Sequence, residues 1–113
     1  MPVAAADLTD LTLKGKLFRG FADPSRLSIL EALRDRPLCV SDIARHAGLS
    51  QPNTSMHLAC LEGCGLVTRQ RRGQFVEYAI AGPLVLDLMR SAERLLEKVG
   101  EQIFGCTRYH GRR

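Results

Sequence analysis

Residues 41–67, SDIARHAGLSQPNTSMHLACLEGCGLV, contain the pattern from which the fold class can be predicted. Its first part predicts a short helix capped by Ser41, whose hydroxyl can accept hydrogen bonds from the free N–H groups of the first turn. Gly48 suits the left-handed conformation that ends a helix. Ser50 then predicts the cap of a second helix over residues 51–63. Two short helices joined by a tight turn are typical of a helix-turn-helix, which we assign to residues 41–63.

The second helix has an apolar side and a polar side. Leu58 and Leu61 are expected to face inward. The polar residues expected on its outer face are Gln51, Asn53, Thr54, Ser55 and His57. Amide and hydroxyl groups can read base edges in the major groove, so these five residues are the predicted DNA contacts. The alternative is an ordinary solvated helix surface.

Two further helices are predicted before this motif. Apolar residues recur at helical spacing over residues 8–22 and form one stripe. Asp23 and Pro24 then suit the cap and first position of a second helix. This helix precedes the helix-turn-helix, and the residues expected to form its buried apolar face are Leu27, Ile29, Leu30 and Leu33.

A β-hairpin is predicted directly after the helix over residues 51–63, the one expected to read DNA and called the recognition helix. Residues 66–70 and 74–80 alternate between apolar and polar side chains, and Arg71-Arg72-Gly73 supplies the turn. This order of elements defines a winged helix-turn-helix with its wing at 66–80. The wing residues predicted to bind phosphates or a neighbouring minor groove are Arg69, Arg71, Arg72 and Gln74. A soluble, cationic hairpin tip is the alternative.

The last predicted helix, residues 83–104, carries a seam of apolar residues spaced three and four apart. Together with the stripe on 8–22, this seam predicts a homodimer interface, because two-fold symmetric operators favour paired modules. The alternative is that both stripes cover the core of their own chain. Residues 105–113 are expected to form a short tail.

The whole chain of 113 residues fits one domain, mainly α with a small β-hairpin and about five helices. It has no apolar run of membrane-spanning length and no signal-peptide pattern at its start, so we expect a cytoplasmic protein. The net charge of +4 is compatible with a nucleic-acid partner. We expect no enzyme, because no nucleophile–base pair, phosphate loop or carboxylate pair stands at a telling spacing.

Two segments resemble the ArsR/SmtB family of metal-responsive repressors. ADPSRLSILEAL, residues 22–33, is similar to the family's second-helix signature, and residues 49–80 are similar to its recognition helix and wing. The resemblance implies a homodimer that binds double-stranded operator DNA when ligand-free and releases it when an inducer binds.

This chain lacks residues of two known ligand sites of the family and matches a third. A site at the start of the helix-turn-helix needs Cys-Val-Cys, but this chain has Cys39-Val40-Ser41. A site on the last helix needs Asp and His, and the segment from Pro83 to Phe104 contains no histidine. In contrast, LACLEGCGLV, residues 58–67, resembles the recognition helix of cadmium- and lead-sensing members. That resemblance implies an inducer site of Cys60 and Cys64 with Cys106 from the other protomer, while the residues themselves leave open whether the tail reaches its own subunit or its partner.

The chemistry of these residues agrees with that implication. Cys60 and Cys64 are one helical turn apart, so both sulfurs can leave the same helix face. A third thiolate from the tail, Cys106, would complete a site for a soft ion: Cd(II), Pb(II), As(III) or Zn(II). Three thiolates suit Pb(II) or As(III), whereas Cd(II) or Zn(II) calls for a fourth donor from water, Cys39 or His110.

Two rival functions keep the same fold. One is a thiol-redox or persulfide sensor in which Cys39 and Cys106 form a bridge, since their separation resembles that of sulfide-responsive relatives. The other is a structural or protein-binding winged helix with incidental cysteines.

Overall fold

The structure is a computed structural model and describes residues 10–106 of the chain. Within that range it has five helices and three short strands. In chain order they are α1 (Asp10–Ala22), α2 (Pro24–Ala32), β1 (Leu38–Cys39), α3 (Val40–Ala47), α4 (Gln51–Gly63), β2 (Val67–Arg72), β3 (Phe75–Ile80) and α5 (Pro83–Gly105). The chain divides into two compact units after Ala81, and α5 belongs to the second.

Helix α2 begins as the sequence predicts. Asp23 has extended backbone angles, and its carboxylate accepts hydrogen bonds from the backbone N–H groups of Ser25 (2.7 Å) and Arg26 (3.3 Å). Pro24 occupies the first turn, where its missing N–H costs little. The cap therefore fixes where the chain leaves α1 and enters α2.

A third strand joins the predicted hairpin. Leu38 and Cys39 pair antiparallel with Tyr78 and Glu77, which gives the strand order β1-β3-β2. Because the chain stays extended through Cys39, α3 begins at Val40, and Cys39 takes the cap position without a side-chain hydrogen bond to the backbone N–H groups of the helix. The prediction that Ser41 caps α3 is therefore wrong.

The turn between α3 and α4 follows the predicted chemistry. Gly48 has φ 72° and ψ 33°, the left-handed conformation, and the N–H of Leu49 donates to the carbonyl of Ala44 at 3.0 Å. Ser50 then caps α4, because its hydroxyl accepts from the N–H of Asn53 at 3.2 Å. The turn thus sets the position of α4 relative to α3.

The core of the first unit lies among α2, α3, α4 and the start of β2. Its fully buried apolar side chains are Ile29, Leu30, Ile43, Leu58, Leu61 and Val67. Leu33 is also buried, but Leu27 is 37% exposed, so the prediction that it is buried is wrong. Leu27 lies on α2 two residues before Ile29, so the two side chains point in different directions around the helix.

The tip of the hairpin is tighter than predicted. Arg71 and Arg72 remain in β2 opposite Val76 and Phe75, so only Gly73 and Gln74 form the turn. Gly73 has φ 61°, which explains why glycine stands there. Both arginines therefore extend from the strand beside the tip.

The two helices predicted to form a dimer interface have exposed apolar side chains. On α1, no residue is buried, and Leu11 is 79% exposed and Phe18 56%. On α5, Leu95 is exposed, as is Ile103. The predicted start of the first helix at residue 8 and the tail from residue 107 lie outside the described residues. None of the helices in residues 10–106 has the length and apolarity needed to span a membrane.

Candidate nucleic-acid interface and thiol site

The outer face of α4 exposes Gln51, Asn53 and Ser55, while His57 is half-buried. Their amide and hydroxyl groups can each donate and accept hydrogen bonds, which is the capacity that base edges require. The exposed residues lie in the first turns of α4, just after the cap at Ser50. This end of the helix can therefore meet a groove of DNA.

Thr54 is the exception among the residues predicted for this face. It is fully buried, and its hydroxyl donates to the carbonyl of Ser50 at 2.8 Å. The prediction that it faces outward is therefore wrong, because Thr54 lies one turn before Leu58 on the buried side of α4. A β-branched polar residue whose hydroxyl bonds within its own helix can fill an apolar site.

His57 is electrostatically coupled to the cap of α2. Partial burial raises the pKa of Asp23. The hydrogen bonds from the backbone N–H groups of Arg26 and Ser25 lower it by a larger amount in total, so the pKa lies below its ordinary value. The positive charges of Arg26 and His57 add to this lowering.

The wing presents cations that are held in place by carboxylates. Arg69 forms an ion pair with Glu62 at the end of α4 (Nε to Oε2, 3.5 Å), and Arg72 pairs with Glu77 on β3 (3.4 Å). Arg69, Arg71, Arg72 and Gln74 are all exposed. The Arg69–Glu62 pair connects the wing directly to the recognition helix.

Cys60 and Cys64 lie at the last turn of α4, and both are exposed. The N–H of Cys64 donates to the carbonyl of Cys60 at 3.0 Å, which places the residues one turn apart. Gly65 follows with φ 81°, and the N–H of Leu66 returns to the carbonyl of Leu61 at 2.9 Å. These hydrogen bonds fix the backbone that carries both thiols.

Both thiols line a groove of about 350 Å³ between α1, α2 and the end of α4. Leu61 and Leu66 give it an apolar wall. Among the described residues that line it, the cations are Lys16, Arg19 and Arg26, and none is a carboxylate. Arg26 is held there because its Nε donates to the carbonyl of Gly20 at 3.1 Å. The pair of thiols therefore stands in a basic groove.

Cys39 has a different environment. Its thiol lies 3.3 Å from the hydroxyl of Ser41 and hydrogen-bonds to the carboxylate of Asp42. The hydrogen bond from Arg45, and then that from Cys39, holds the pKa of Asp42 below its ordinary value. Cys39 is thus part of a polar cluster at the start of α3.

Cys106 follows α5 in the second unit and is half-buried, and its N–H donates to the carbonyl of Ile103 at 3.1 Å. His110, suggested as a further ligand, lies outside the described residues. Within residues 10–106, no three Cys, His, Asp or Glu side chains lie close enough together to hold a metal ion. The described chain therefore offers a pair of thiols at α4.

The chemistry of this pair fits a soft ion. Residues four apart on a helix have Cβ atoms about 5–6 Å apart, whereas a disulfide needs about 3.5–4.5 Å. A metal ion bound between the two sulfurs allows a larger distance between the Cβ atoms than a direct S–S bond does, and so suits this helical spacing. Thiolates are the ligands that soft metals prefer.

Sequence reasoning missed two parts of this site. The basic residues of α1 are visible as a cationic face, but their approach to Cys60 depends on how α1 packs beside α4. The sequence does not predict a role for Glu62, because a glutamate in a helix is usually only a solvated charge. Its position between the two cysteines, opposite a wing arginine, is the signal that could have identified it.

The fold, together with the polar outer face of α4, defines a winged helix-turn-helix protein of the DNA-binding class. A solution NMR structure from Mycobacterium bovis, the homodimeric winged helix-turn-helix DNA-binding domain of Mb0332 (fragment 1–100), is similar to this chain. The TM-score is 0.74 at 27% identity, and the match covers 88% of this chain and 95% of that one.

Residues 23–69 match the profile of the bacterial regulatory protein arsR family. The probable mercury resistance operon repressor of Streptomyces lividans is 36% identical over 96 residues, which cover 85% of this chain and 77% of the relative. The chain belongs to the arsR family of transcriptional regulators, and the expectation that it is not an enzyme is confirmed.

A second relative is the transcriptional regulator CmtR of Mycobacterium tuberculosis, strain H37Rv. It is 47% identical over 66 residues, which span 58% of this chain and 56% of CmtR. The NMR structure of CmtR, described as a cadmium metal-sensor, superposes with a TM-score of 0.59 at 43% identity, covering 67% of this chain and 80% of CmtR.

Proposed function

We propose that this protein is a metal-responsive repressor that binds operator DNA without metal and releases it when a thiophilic ion binds. The observation that carries the proposal is the pair of exposed thiols, Cys60 and Cys64, on the last turn of the recognition helix. This position supports an inducer site on the element that we propose reads DNA. The protein acts in the cytoplasm, where thiols remain reduced.

The DNA-binding state is a homodimer on double-stranded operator DNA. The exposed apolar stripes of α1 and α5 supply the interface between protomers. Gln51, Asn53, Ser55 and His57 of α4 meet the major groove, and Thr54 has only a structural role there. Arg69, Arg71, Arg72 and Gln74 bind phosphates or the minor groove beside it, which makes the affinity depend on salt.

The inducer site combines Cys60 and Cys64 with Cys106 of the second protomer. Three thiolates give a donor set for Cd(II) or Pb(II), with As(III) or Zn(II) as further candidates. The similarity to the cadmium sensor CmtR supports Cd(II). The similarity to a probable mercury operon repressor adds Hg(II), for which two thiolates are sufficient.

Release follows from the position of Glu62 between the two cysteines. Binding at the thiols constrains the last turn of α4, and Glu62 on that turn holds Arg69 of the wing at 3.5 Å. An ion that prefers the non-binding geometry of this turn shifts the population away from the DNA-bound state. A coupling of about 1–3 kcal/mol weakens operator binding roughly 5- to 150-fold.

The test is an anaerobic Cd(II) titration of reduced protein, followed by sulfur-to-metal charge-transfer absorption. Pb(II) and Hg(II) titrations accompany it, and each protein is also titrated with labelled DNA from its own promoter region by fluorescence anisotropy. We expect saturation at one ion per protomer and loss of operator affinity in the range given above.

Four single variants assign the ligands: Cys60→Ser, Cys64→Ser, Cys106→Ser and, as matched control, Cys39→Ser. The first three are expected to bind DNA normally and to lose Cd(II) induction, while the control keeps both. If metal binding is weak, and oxidation releases DNA through Cys39 and Cys106 instead, the thiol-redox or persulfide function replaces this one. If a cysteine variant loses operator affinity without metal, that cysteine serves the fold.

A further inference from the structure

The groove around Cys60 and Cys64 has a charge pattern that soft-metal binding does not require. It brings three cations, Lys16, Arg19 and Arg26, beside two exposed thiols, and within residues 10–106 no carboxylate lines it. The nearest acidic residue in sequence, Glu62, is engaged by Arg69. A groove of about 350 Å³ with an apolar wall of Leu61 and Leu66 has room for a small organic molecule.

We propose that this groove is a modification site for low-molecular-weight disulfides that carry carboxylates. The cations raise the local concentration of an anionic reagent, and a groove lined by one sign of charge focuses this attraction. The apolar wall accommodates the carbon chain of the reagent. The product is a mixed disulfide at Cys60 or Cys64 whose carboxylate faces Lys16, Arg19 or Arg26.

The reaction is a thiol–disulfide exchange. The protein thiol loses its proton to solvent, and the thiolate attacks one sulfur of the small disulfide. A new protein–sulfur bond forms as the S–S bond of the reagent breaks, and the other half leaves as a thiolate. The protein sulfur is oxidised and the departing sulfur is reduced, so the small disulfide itself is the oxidant.

The helix disfavours the alternative product, a disulfide between Cys60 and Cys64. Their Cβ atoms, one turn apart, are separated by about 5–6 Å, and closing the bond needs about 3.5–4.5 Å. The hydrogen bond from Cys64 to Cys60 and the return bond from Leu66 to Leu61 fix this turn. The mixed disulfide therefore persists until an external thiol removes it.

The experiment compares three disulfides of similar size and different charge on reduced, chelator-treated protein: dithiodipropionate (anionic), hydroxyethyl disulfide (neutral) and cystamine (cationic). Trypsin cleavage after Arg45 and Arg69 places Cys60 and Cys64 together on one peptide, apart from Cys39 and Cys106. Mass spectrometry of that peptide gives the rate for each reagent. Because no metal is present, the result is independent of the proposed metal response.

We expect the anionic reagent to modify this peptide at least about 10-fold faster than the cationic one at low salt. In Lys16→Gln/Arg19→Gln protein, this preference should largely disappear. The matched control, Lys14→Gln/Arg36→Gln, removes the same charge outside the groove and should keep it. Arg26 is left intact because it bonds the carbonyl of Gly20.

Three results would overturn the proposal. The first is equal rates for all three reagents on the unmodified sequence. The second is an equal loss of preference in both double variants, which would assign it to net charge. The third is an internal disulfide in place of an adduct, seen as a peptide that is two hydrogens lighter and carries no added group.

Discussion

A single carboxylate, Asp23, determines the direction in which the chain enters α2. It accepts two backbone N–H groups that α2 would otherwise leave without partners, and it interacts with the charge of His57 on the recognition helix. Its pKa is lowered because the folded protein favours the charged form. The residue thus stabilises the N-terminal cap of α2 in its charged form.

Replacing Asp23 with alanine should lower the free energy of unfolding at pH 7 by about 1 kcal/mol, the usual value of a cap. Because the folded-state pKa is depressed, this contribution is present above the unfolded pKa, about 3.9, and is lost as the pH falls through the folded pKa. Urea unfolding of both proteins between pH 7 and pH 3 measures the difference. Asp35→Ala, in an exposed loop, is the control, and an equal loss there would contradict a capping role.

Among the elements, the end of α4 and the start of the wing are joined by a short connection and by an ion pair. Glu62 and Arg69 join them by an ion pair, and β2 begins four residues after α4 ends. The thiols lie on the same helical turn as Glu62. A change at the thiols therefore has a short route to an arginine proposed to contact DNA.

Glu62→Gln should weaken the coupling between metal and DNA without abolishing metal binding. Since a partly exposed ion pair contributes about 0–1 kcal/mol, we expect the ratio of operator affinities without and with Cd(II) to fall by up to about 5-fold. Anisotropy titrations at fixed salt measure that ratio. Glu77→Gln, which releases Arg72 on the wing alone, is the matched variant and should keep the ratio. A similar fall in both would show only that wing charge has changed.

In the whole molecule, the apolar stripe on α1 is a surface that the described part of a single chain does not bury. Leu11 is 79% exposed and Phe18 56%, although apolar residues recur there at helical spacing. Apolar surface of this kind marks an interaction site. The proposed partner is a second copy of the chain.

Leu11→Lys should weaken the dimer at least about 100-fold, because the substitution removes two buried leucines, each contributing about 1.5–3 kcal/mol, from a symmetric interface. Sedimentation equilibrium measures the dissociation constant. Leu13→Lys, two residues further along α1 and therefore on the opposite side of the helix from Leu11, is the control and should leave it nearly unchanged. A wild-type protein that sediments as a monomer at micromolar concentration would remove α1 from the interface.

Local signals were sufficient for much of the fold. Asp23-Pro24, Gly48 and Ser50 each determine a helix boundary through their own backbone chemistry, and the structure has all three where the sequence predicts them. The spacing of Cys60 and Cys64 likewise needs only the period of a helix. Such features are predictable because their physical cause lies within a few residues.

The remaining features depend on which distant residues meet. The pairing of Leu38 and Cys39 with Tyr78 and Glu77 moved the start of α3, and only packing shows that Thr54 is buried. The basic groove exists because α1 lies beside the end of α4. The helices, the turn between α3 and α4 and the thiol pair therefore follow from local residue patterns. The tertiary structure alone decided the third strand, the buried side of α4 and the charge around the thiols, because each arises from contacts between residues far apart in the chain.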